Sequence, residues 1–393
     1  MSQINKCPIC QSELVKTLFK RENVPVHQNL LMRDQISAIS IARGDLTITV
    51  CEKCGFIFNK DFDIAKLHYS EHYDNTQSCS PMFNDYLSHL AQYLVFEKGI
   101  QNCRIVEIGC GKGLFLRKLV EMGEGNIGHG FDPSYVGPVI DLEGRLHFEK
   151  CYYGPECSRI VADVIICRHV IEHIPNPLDF LSLIKKTLTS TSHAHIFFET
   201  PDVEWILRNQ VIWDFFYEHC SYFSSSSLMT AFEISGFKVE HVRPVFGEQY
   251  LWLESTLMPE KDNTPITKQT NSTLNMAKQF ATLEMDLEEK WRSRIQGLAR
   301  QGNIALWGAG AKGVTFANLI DPVRQWITCI VDLNPQKQHR YLPGTGHPII
   351  GYLDLAKYNI KTAILMNPNY FDENATLLHT TNLDVKLMNL REL

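Results

Sequence analysis

Hydrophobic and polar positions alternate along the chain in blocks that predict β-strands and α-helices in turn. Between residues 71 and 258, short apolar runs are separated by longer amphipathic stretches. This alternation predicts a parallel sheet with helices on both faces. The predicted strands are Arg104–Ile108, Ile127–Phe131, Asp163–Cys167 and His195–Glu199.

The end of this region departs from the alternation. Two apolar segments, Phe237–Val245 and Gln249–Glu254, are separated by a short turn around Gly247. Strands that are joined so closely must be antiparallel. A parallel sheet that ends in an antiparallel hairpin is the layout of class I methyltransferases, and Rossmann dehydrogenases lack it.

A glycine-rich turn, Glu107-Ile108-Gly109-Cys110-Gly111-Lys112-Gly113, connects the first predicted strand to an amphipathic helix. Such a turn lets the backbone approach a ligand closely, and the N–H groups of the helix terminus face that ligand. The carboxylate of Glu107 would repel a pyrophosphate but suits a cation, and S-adenosylmethionine carries an ammonium and a sulfonium. Asp132 follows the second predicted strand, where an acid can bind both ribose hydroxyls of an adenosine. The turn therefore predicts an S-adenosylmethionine site formed by Glu107, Gly109, Gly111, Gly113 and Asp132.

A second glycine-rich turn, Trp307-Gly308-Ala309-Gly310-Ala311-Lys312-Gly313, follows the apolar run Asn303–Trp307. Its Gly-x-Gly-x-x-Gly spacing, with Asp332 nineteen residues after Gly313, fits a dinucleotide fingerprint. Taken alone, these residues predict NAD binding by a Rossmann-like domain.

These patterns divide an α/β chain into four regions. Residues 1–70 carry two Cys-x-x-Cys pairs and few long apolar runs, which predicts a small metal-binding module. Residues 71–258 form the first α/β domain, and residues 259–300 form a linker, polar up to residue 272, and a charged helix. Residues 301–393 form a second, Rossmann-like domain.

The paired cysteines predict a zinc site. Four thiolates satisfy a tetrahedral zinc ion and leave no open position, so the site is expected to be structural. Forty residues separate the two pairs, which requires a substantial insert between them. A disulfide or redox pair is one alternative, and a nucleic-acid-binding ribbon is another, although the module shows no dense basic stripe. The predicted ligands are Cys7, Cys10, Cys51 and Cys54.

Composition narrows the possible partners. The 393 residues include 38 basic and 44 acidic ones, a net charge of −6, which gives no overall electrostatic footprint for nucleic acid or an anionic membrane. No apolar run is long enough to span a bilayer, and Met1–Lys6 lacks the apolar core of a secretory signal. Twelve cysteines without an export signal argue for a reducing compartment, so we expect a cytoplasmic protein.

The run Asp163–Ile174 passes from the third predicted strand into a loop. Its polar groups are expected at the carboxyl end of the sheet, where open α/β sheets bind ligands. For Glu172 and His173 the expectation is local hydrogen bonding, because a buried polar group usually serves structure first.

Several segments together resemble the three-domain, zinc-containing C-methyltransferases that act on nucleotide-linked keto-deoxysugars. The resemblance covers nearly the whole chain, and it includes both cysteine pairs and the first glycine turn. The other matching segments are Val26–Asn29, Cys54–Asn59, Tyr73–Ser78, Val170–Pro177, Tyr217–Phe223 and Lys337–Thr345.

The resemblance implies methylation of a carbon next to a ketone, in which a base removes a proton and the enolate carbon attacks the sulfonium methyl. His219 would be the base, since imidazole titrates near the working pH. Glu218 would orient or assist it, and Tyr73 would hydrogen-bond the sugar or its enolate oxygen. The resemblance also assigns three further residues to the cofactor site: Gln77, Arg168 and His169.

For the second glycine turn, the resemblance implies a Rossmann-like domain without a redox cofactor. This domain would face the methyltransferase domain across the substrate cleft. The helix N-terminus at the turn could hold a substrate diphosphate there.

Two segments depart from the family pattern where the substrate should bind. The family usually has Tyr-His-Glu-His where this chain has Phe216-Tyr217-Glu218-His219, so a phenol is lost at Phe216 and appears at Tyr217, a further catalytic candidate. The segment Phe246–Trp252 is bulkier than the glycines and serine of the family. The predicted function is C-methylation of a small, nucleotide-linked carbonyl substrate. O-methylation of another metabolite, an NAD-dependent oxidoreductase and a zinc-ribbon adaptor are the alternatives.

Overall fold

The computed structural model describes residues 6–69, 71–188, 194–258 and 272–390, apart from the side chain of Ser158. The predicted polar linker, 259–272, lies outside the described residues except for Ser272. Within the described ranges, the strands form one four-stranded, one eight-stranded and one five-stranded sheet.

The N-terminal module is built on a long antiparallel hairpin, and a third strand pairs with the second strand of that hairpin. The insert predicted between the cysteine pairs is this hairpin with its connection, which contains a short helix capped by the Asp34 carboxylate. The third strand also pairs with Ser221–Tyr222 from the middle of the chain, so the module and the next domain share a sheet. The elements are β1 (Val15–Pro25), α1 (Gln35–Ile39), β2 (Arg43–Cys51) and β3 (Ile57–Asn59).

The middle domain alternates strands and helices as its hydrophobic pattern predicts. Apolar runs bounded by glycine or proline become the central strands, and amphipathic runs become the helices that cover them. The elements are α2 (Pro81–Gln92), β4 (Arg104–Ile108), α3 (Leu114–Met122), β5 (Ile127–Phe131), β6 (Ile140–Asp141), β7 (Leu146–Glu149), β8 (Val164–Arg168), α4 (Pro177–Thr187), β9 (His195–Pro201), α5 (Val203–Arg208), β10 (Ser221–Tyr222), α6 (Ser225–Ile234), β11 (Phe237–Val245) and β12 (Tyr250–Leu257).

The strand order of the large sheet is β11-β12-β9-β8-β4-β5-β7-β6. The strands from β9 to β7 in this order are parallel, whereas β12 runs antiparallel to both β9 and β11. The predicted antiparallel hairpin is therefore confirmed, and the domain has the class I methyltransferase layout. The central strand β4 is buried from Ile105 to Ile108, as expected for a strand covered on both faces.

The C-terminal region begins with a long helix and continues as a five-stranded parallel sheet. The strand order is β15 (Ile349–Ile350), β14 (Ile327–Val331), β13 (Asn303–Trp307), β16 (Ile360–Leu365) and β17 (Lys386–Asn389). All four neighbouring pairs in this sheet are parallel, which confirms the predicted Rossmann-like domain. The elements are α7 (Ser272–Ala299), β13 (Asn303–Trp307), α8 (Ala311–Ile320), β14 (Ile327–Val331), β15 (Ile349–Ile350), β16 (Ile360–Leu365), α9 (Phe371–Thr380) and β17 (Lys386–Asn389).

Helix α7 joins the three parts of the molecule. Its Glu284 accepts hydrogen bonds from the Arg21 guanidinium of β1 at 2.6 and 2.9 Å, and both side chains are buried. Its Trp291 packs edge-on against Trp213 of the middle domain and Phe316 of α8. Removing one partner of a buried ion pair leaves an uncompensated charge, so the Arg21–Glu284 pair holds α7 against the N-terminal module. The Trp291 contacts hold the same helix against the other two parts. None of the helices within the described ranges is both long and apolar enough to cross a membrane.

Candidate active site

A cavity of about 300 Å³ lies between the middle and C-terminal domains, where the carboxyl ends of their parallel strands face each other. Residues from both sheets line it, and Asn29 of the N-terminal module completes its wall. Polar groups therefore converge here from all three parts of the chain. A concave site with a few convergent polar groups is the usual place for a small-molecule ligand.

The first glycine turn lies between β4 and α3. Gly109, Gly111 and Gly113 all have positive φ, at 71°, 56° and 78°, which L-residues with side chains rarely adopt. A Cβ at Gly109 would lie 2.1 Å from a methyl of Val170, so only glycine fits there. A Cβ at Gly111 would meet nothing within 4 Å, so this glycine borders open space at the turn.

Two carboxylates hold this turn. Asp132 accepts a hydrogen bond from the backbone N–H of Gly111 at 2.8 Å. Glu107 accepts one from the N–H of Leu116 in the first turn of α3 at 3.1 Å. Burial raises the pKa of Glu107 to about 8, although the nearby Arg168 guanidinium opposes that rise. A cationic ligand would favour the ionised form of Glu107 in the same way.

Arg168 and His169, at the end of β8, are partly buried and form an ion network with the fully buried Glu199 of β9. Arg168 Nε donates to one Glu199 oxygen at 2.8 Å, and His169 Nε2 lies 3.1 Å from the other. Burial alone would lower the pKa of His169, but Glu199 and Glu172 outweigh it and raise this pKa to about 9. Burial would raise the pKa of Glu199, yet Arg168 and His169 lower it to about 2. The cavity wall therefore carries a protonated imidazole at neutral pH.

His219 lines the cavity with its ring 4.1 Å from Phe216 and 4.8 Å from His173, measured between centroids. Burial lowers the pKa of His219 well below its ordinary value, and the neighbouring His173 lowers it further. His219 is therefore neutral at pH 7, the form that a base must have, although the lowered pKa reduces its affinity for a proton and differs from the expected titration near the working pH. Ligating atoms of Glu172, His173 and His219 lie within 4.8 Å of one another, so a carboxylate is close to this imidazole.

Glu172 and His173 make the local hydrogen bonds expected from the sequence, and they also face the cavity. Glu172 accepts from the Thr200 hydroxyl at 3.0 Å, and His173 Nδ1 lies 2.9 Å from the Glu218 carbonyl oxygen. Both residues line the cavity beside His219, where the sequence predicted only a structural role.

Glu218 and Tyr73 form a second polar pair on this wall. Both side chains line the cavity: the Tyr73 hydroxyl accepts from the Asn29 side-chain amide at 3.5 Å, and the Glu218 carboxyl group accepts from the Gln28 N–H at 3.2 Å. Burial raises the pKa of Glu218 to about 8 and raises the pKa of Tyr73 well above its usual range. Both groups are therefore protonated at pH 7, and the hydrogen bonds of the described residues include none between the Glu218 carboxyl group and His219.

Tyr217 is placed outside the cavity. Its ring is fully buried against Phe62 of the N-terminal module, 5.5 Å away between centroids, and its hydroxyl accepts from the Asp63 N–H at 2.9 Å. Phe216, not Tyr217, faces the cavity. The phenol that the sequence placed among the catalytic candidates therefore packs between two domains.

The second glycine turn forms the opposite wall of the cavity. Asp332 accepts from the Ala309 N–H at 2.7 Å, and a Cβ at Gly313 would lie only 1.9 Å from the Gly308 carbonyl oxygen. The ammonium of Lys337 is buried beside the turn. It donates to the carbonyl oxygen of Ala309 at 3.0 Å and to the side-chain oxygen of Asn29 at 3.2 Å.

Comparison with known proteins agrees with this arrangement. Residues 81–242 match the family described as methyltransferase domain, and residues 267–382 match the family described as C-methyltransferase C-terminal domain. The chain is an S-adenosylmethionine-dependent methyltransferase. It is 22% identical to the C-methyltransferase NovU of Streptomyces niveus over 94% of each chain.

Among solved structures, the methyltransferase is similar to two enzymes over part of its length. N,N-8-amino-8-demethyl-D-riboflavin dimethyltransferase (RosA) from Streptomyces davawensis is 15% identical, with a TM-score of 0.35 over 45% of this chain and 55% of that chain. Magnesium protoporphyrin IX methyltransferase (ChlM) from Synechocystis PCC 6803, with bound S-adenosylhomocysteine, is 15% identical, with a TM-score of 0.33 over 45% of this chain and 84% of that chain.

The first glycine turn of the methyltransferase fits S-adenosylmethionine. The open space at Gly111 leaves room for a ligand against the backbone, and Asp132 lies at the strand end where it can bind a ribose. Arg168 Nη2 is buried without a hydrogen-bond partner among the described residues, so a donor is free to bind an acceptor. Gln77 and His169 line the adjoining cavity. The sequence missed Glu199, whose only signal is an acid at the end of a predicted strand.

The four paired cysteines of the methyltransferase lie together. The Sγ atoms of Cys7 and Cys54 are 3.4 Å apart, and those of Cys10 and Cys51 are 3.5 Å apart. Tetrahedral coordination at a Zn–S distance of about 2.3 Å places sulfur atoms about 3.8 Å apart, so a small expansion would admit zinc. Gly55, with φ 67°, follows the last cysteine and permits the tight turn. The donor set fits a structural zinc ion, and none of the four cysteines lines the cavity.

Proposed function

We propose that the enzyme methylates the carbon next to a carbonyl group in a small, nucleotide-linked substrate. The observation that carries this proposal is the division of the cavity into two unlike halves. The middle-domain half presents a neutral His219 and the protonated groups Tyr73 and His169. The C-terminal half presents a glycine turn and the buried ammonium of Lys337.

In this proposal His219 is the general base. A carbonyl acidifies the neighbouring C–H bond, and the neutral imidazole takes that proton while the electron pair moves to form an enolate. The enolate carbon then forms a bond to the methyl group as the bond from that methyl to the sulfonium sulfur breaks, which leaves S-adenosylhomocysteine. The nearby carboxylate of Glu172 stabilises the imidazolium that results.

The enolate oxygen needs donors, because negative charge develops on it. The Tyr73 hydroxyl is protonated, since burial raises its pKa, and the His169 imidazolium lies on the same wall of the cavity. Preorganised donors in a site shielded from water stabilise such an oxyanion more strongly than water does. Tyr73 is therefore the proposed hydrogen-bond donor to the oxyanion. His169, whose two ring nitrogens face Glu199 at 3.1 Å and Glu172 at 3.4 Å, contributes positive charge to this wall and not a free donor.

The other half of the cavity suits a diphosphate. The N-terminus of α8 directs backbone N–H groups into the cavity, and Lys337 adds a positive charge beside them. Lys312 adds a second ammonium, which is paired with Asp214. These groups would hold the nucleotide end of the substrate, with its carbonyl end next to His219.

The base assignment is tested with His219→Asn, which keeps a polar side chain but removes the basic nitrogen. We expect kcat to fall about 10²–10⁴-fold on a nucleoside diphosphate keto-sugar, while the Kd for S-adenosylhomocysteine stays within about twofold. Substantial residual methyl transfer would remove His219 from this role. Glu172→Gln, which keeps the shape but removes the charge, is a companion variant that tests the carboxylate assigned to stabilise the imidazolium.

The acceptor atom is tested separately with S-adenosylmethionine labelled with ¹³C in the methyl group. Carbon, oxygen and nitrogen methyl groups differ clearly in ¹³C chemical shift, so one spectrum of the product assigns the acceptor. A product with its label on oxygen would replace C-methylation with O-methylation and leave the methyltransferase class unchanged.

A further inference from the structure

The C-terminal domain forms hydrogen bonds to a segment of the middle domain that lines the cavity. This segment runs from residue 75 to residue 80 and leads into α2. The hydroxyl of Tyr370 donates to the side-chain oxygen of Gln77 at 2.7 Å. The carboxylate of Glu373 accepts from the Ser80 hydroxyl at 2.9 Å and from the Met82 N–H at 3.1 Å, so it helps to cap α2.

A series of contacts connects Gln77 to the first glycine turn. The Tyr370 that binds Gln77 lies 6.0 Å from the ring of Phe246, which stacks on Tyr250 at 5.2 Å between centroids. The Tyr250 ring in turn packs edge-on against His169 at 4.5 Å. His169 precedes Val170, the residue that a side chain at Gly109 would strike. Gln77 therefore lies on the side of the cavity that faces the cofactor turn.

The bond from Tyr370 fixes how the Gln77 amide is turned. An amide has one oxygen acceptor and one NH₂ donor group, so holding the oxygen toward Tyr370 turns the NH₂ group away from it. The rings of Phe246 and Tyr370, 6.0 Å apart between centroids, limit movement of the tyrosine. Glu373 fixes the backbone of the same segment a few residues further on.

We propose that Tyr370 is a positioning residue for the cofactor site, which fixes the Gln77 amide so that its NH₂ group is presented to an acceptor on S-adenosylmethionine. A residue of the substrate-side domain thereby forms part of the cofactor site. The two domains are coupled through this bond: cofactor binding favours their contact, and their contact favours cofactor binding. This inference depends only on the methyltransferase activity and not on the identity of the substrate.

The test is a double-mutant cycle with Tyr370→Phe and Gln77→Met, read out as the Kd of S-adenosylhomocysteine by calorimetry without substrate. We expect each single change to weaken binding about 3–10-fold, as for loss of one hydrogen bond. The double variant should bind no more weakly than Gln77→Met alone, because Tyr370 acts through Gln77.

Tyr352→Phe is the matched control, since Tyr352 is a partly buried tyrosine of the same domain outside the cavity. It should leave the Kd within about twofold. Thermal unfolding distinguishes the proposed positioning role of Tyr370 from a purely structural one. If Tyr370→Phe lowers Tm but leaves the Kd unchanged, or if the two substitutions are additive in the Kd, the proposal is overturned.

Discussion

The two glycine-rich turns share one local design and differ in what surrounds it. In each, an aspartate at the end of the next strand accepts a hydrogen bond from a backbone N–H of the turn, at 2.8 Å for Asp132 and 2.7 Å for Asp332. In each, the other oxygen of the same aspartate accepts from the backbone N–H of the residue two places after it: Ser134 at 2.7 Å in the first turn and Asn334 at 2.8 Å in the second. Backbone geometry alone therefore does not separate a cofactor turn from a substrate turn.

The difference lies in charge and space. The position two residues before the first glycine is the buried acid Glu107 in the first turn and the buried apolar Leu306 in the second. The second turn has the ammonium of Lys337 against its backbone. An acid suits a cationic cofactor and an ammonium suits an anionic group. The turn with the more orthodox dinucleotide spacing is thus the one that we assign to substrate.

The largest expected difference between the turns concerns folding. Gly313→Ala would place a Cβ 1.9 Å from the Gly308 carbonyl oxygen, and backbone has little freedom to give way. We expect a loss of about 3 kcal/mol and a fall in Tm of about 5–10 °C, measured by thermal unfolding.

Gly111→Ala is the matched control, because its Cβ would enter open space. We expect it to keep Tm within a few degrees, since a positive φ strains alanine by only about 1 kcal/mol. It should nevertheless weaken binding of S-adenosylhomocysteine at least tenfold. Equal losses of Tm in the two variants would contradict the assigned difference.

The next largest effect separates the two aspartates. Asp132→Ala should raise the Kd of S-adenosylhomocysteine about 10–100-fold, because charged hydrogen bonds to the ligand and to the turn are lost. Asp332→Ala should leave this Kd within about twofold and raise the substrate KM instead. Calorimetry and steady-state kinetics measure the two quantities. If both variants lose affinity for S-adenosylhomocysteine alike, the second turn is not confined to substrate.

A smaller effect is expected at the ammonium beside the second turn. Lys337→Met keeps the length of the side chain but removes its charge from the Ala309 carbonyl oxygen and the Asn29 side chain. We expect KM for a nucleoside diphosphate keto-sugar to rise about tenfold, with kcat within about threefold. Lys357→Met, at an exposed lysine of the same domain, is the control. An unchanged KM would remove the diphosphate from this half of the cavity.

Much of the fold could be predicted from the sequence, because buried parallel strands are short apolar runs with clear ends. Arg104–Ile108 and Ile127–Phe131 have the predicted bounds. The predicted strand Asp163–Cys167 is displaced by one residue, since β8 runs from Val164 to Arg168. Asp163 precedes the strand, and its carboxylate accepts from the Arg104 N–H of the neighbouring strand. The antiparallel hairpin was predictable because its turn is too short for a crossover.

The site was only partly predictable, since its side chains come together from distant parts of the chain. Glycine spacing identified the first turn, but Glu199 is 31 residues from Arg168, and no local pattern joins them. Tyr217 lies in an irregular segment between a short 3₁₀ helix and β10, where no periodicity shows which side chain faces the cavity. Tyr370 and Gln77 belong to different domains, so their bond could not be read from either segment alone.

The smallest expected effect concerns pH and belongs to the methyltransferase half of the cavity. Burial lowers the pKa of His219 well below its ordinary value, so this proposed base stays neutral until the pH falls well below 6.5. Burial raises the pKa of Glu218 to about 8, so this carboxyl group ionises only as the pH rises through that value. We therefore expect kcat/KM to change less than about twofold between pH 6.5 and 7.5 and to fall above pH 8, where a carboxylate appears beside Tyr73.

Glu218→Gln, which cannot ionise, should move the alkaline fall up to about pH 9, where the His169 imidazolium loses its proton. Lys337→Met should leave the shape of the profile unchanged because it acts on the other half of the cavity. An acid limb with its midpoint between pH 6.5 and 7.5 would mean that the base is not the buried imidazole of His219. If Lys337→Met changed the shape of the pH profile as strongly as Glu218→Gln does, one titrating group would act across the whole cavity. The two glycine turns would then not have the separate cofactor and substrate roles that we assign to them.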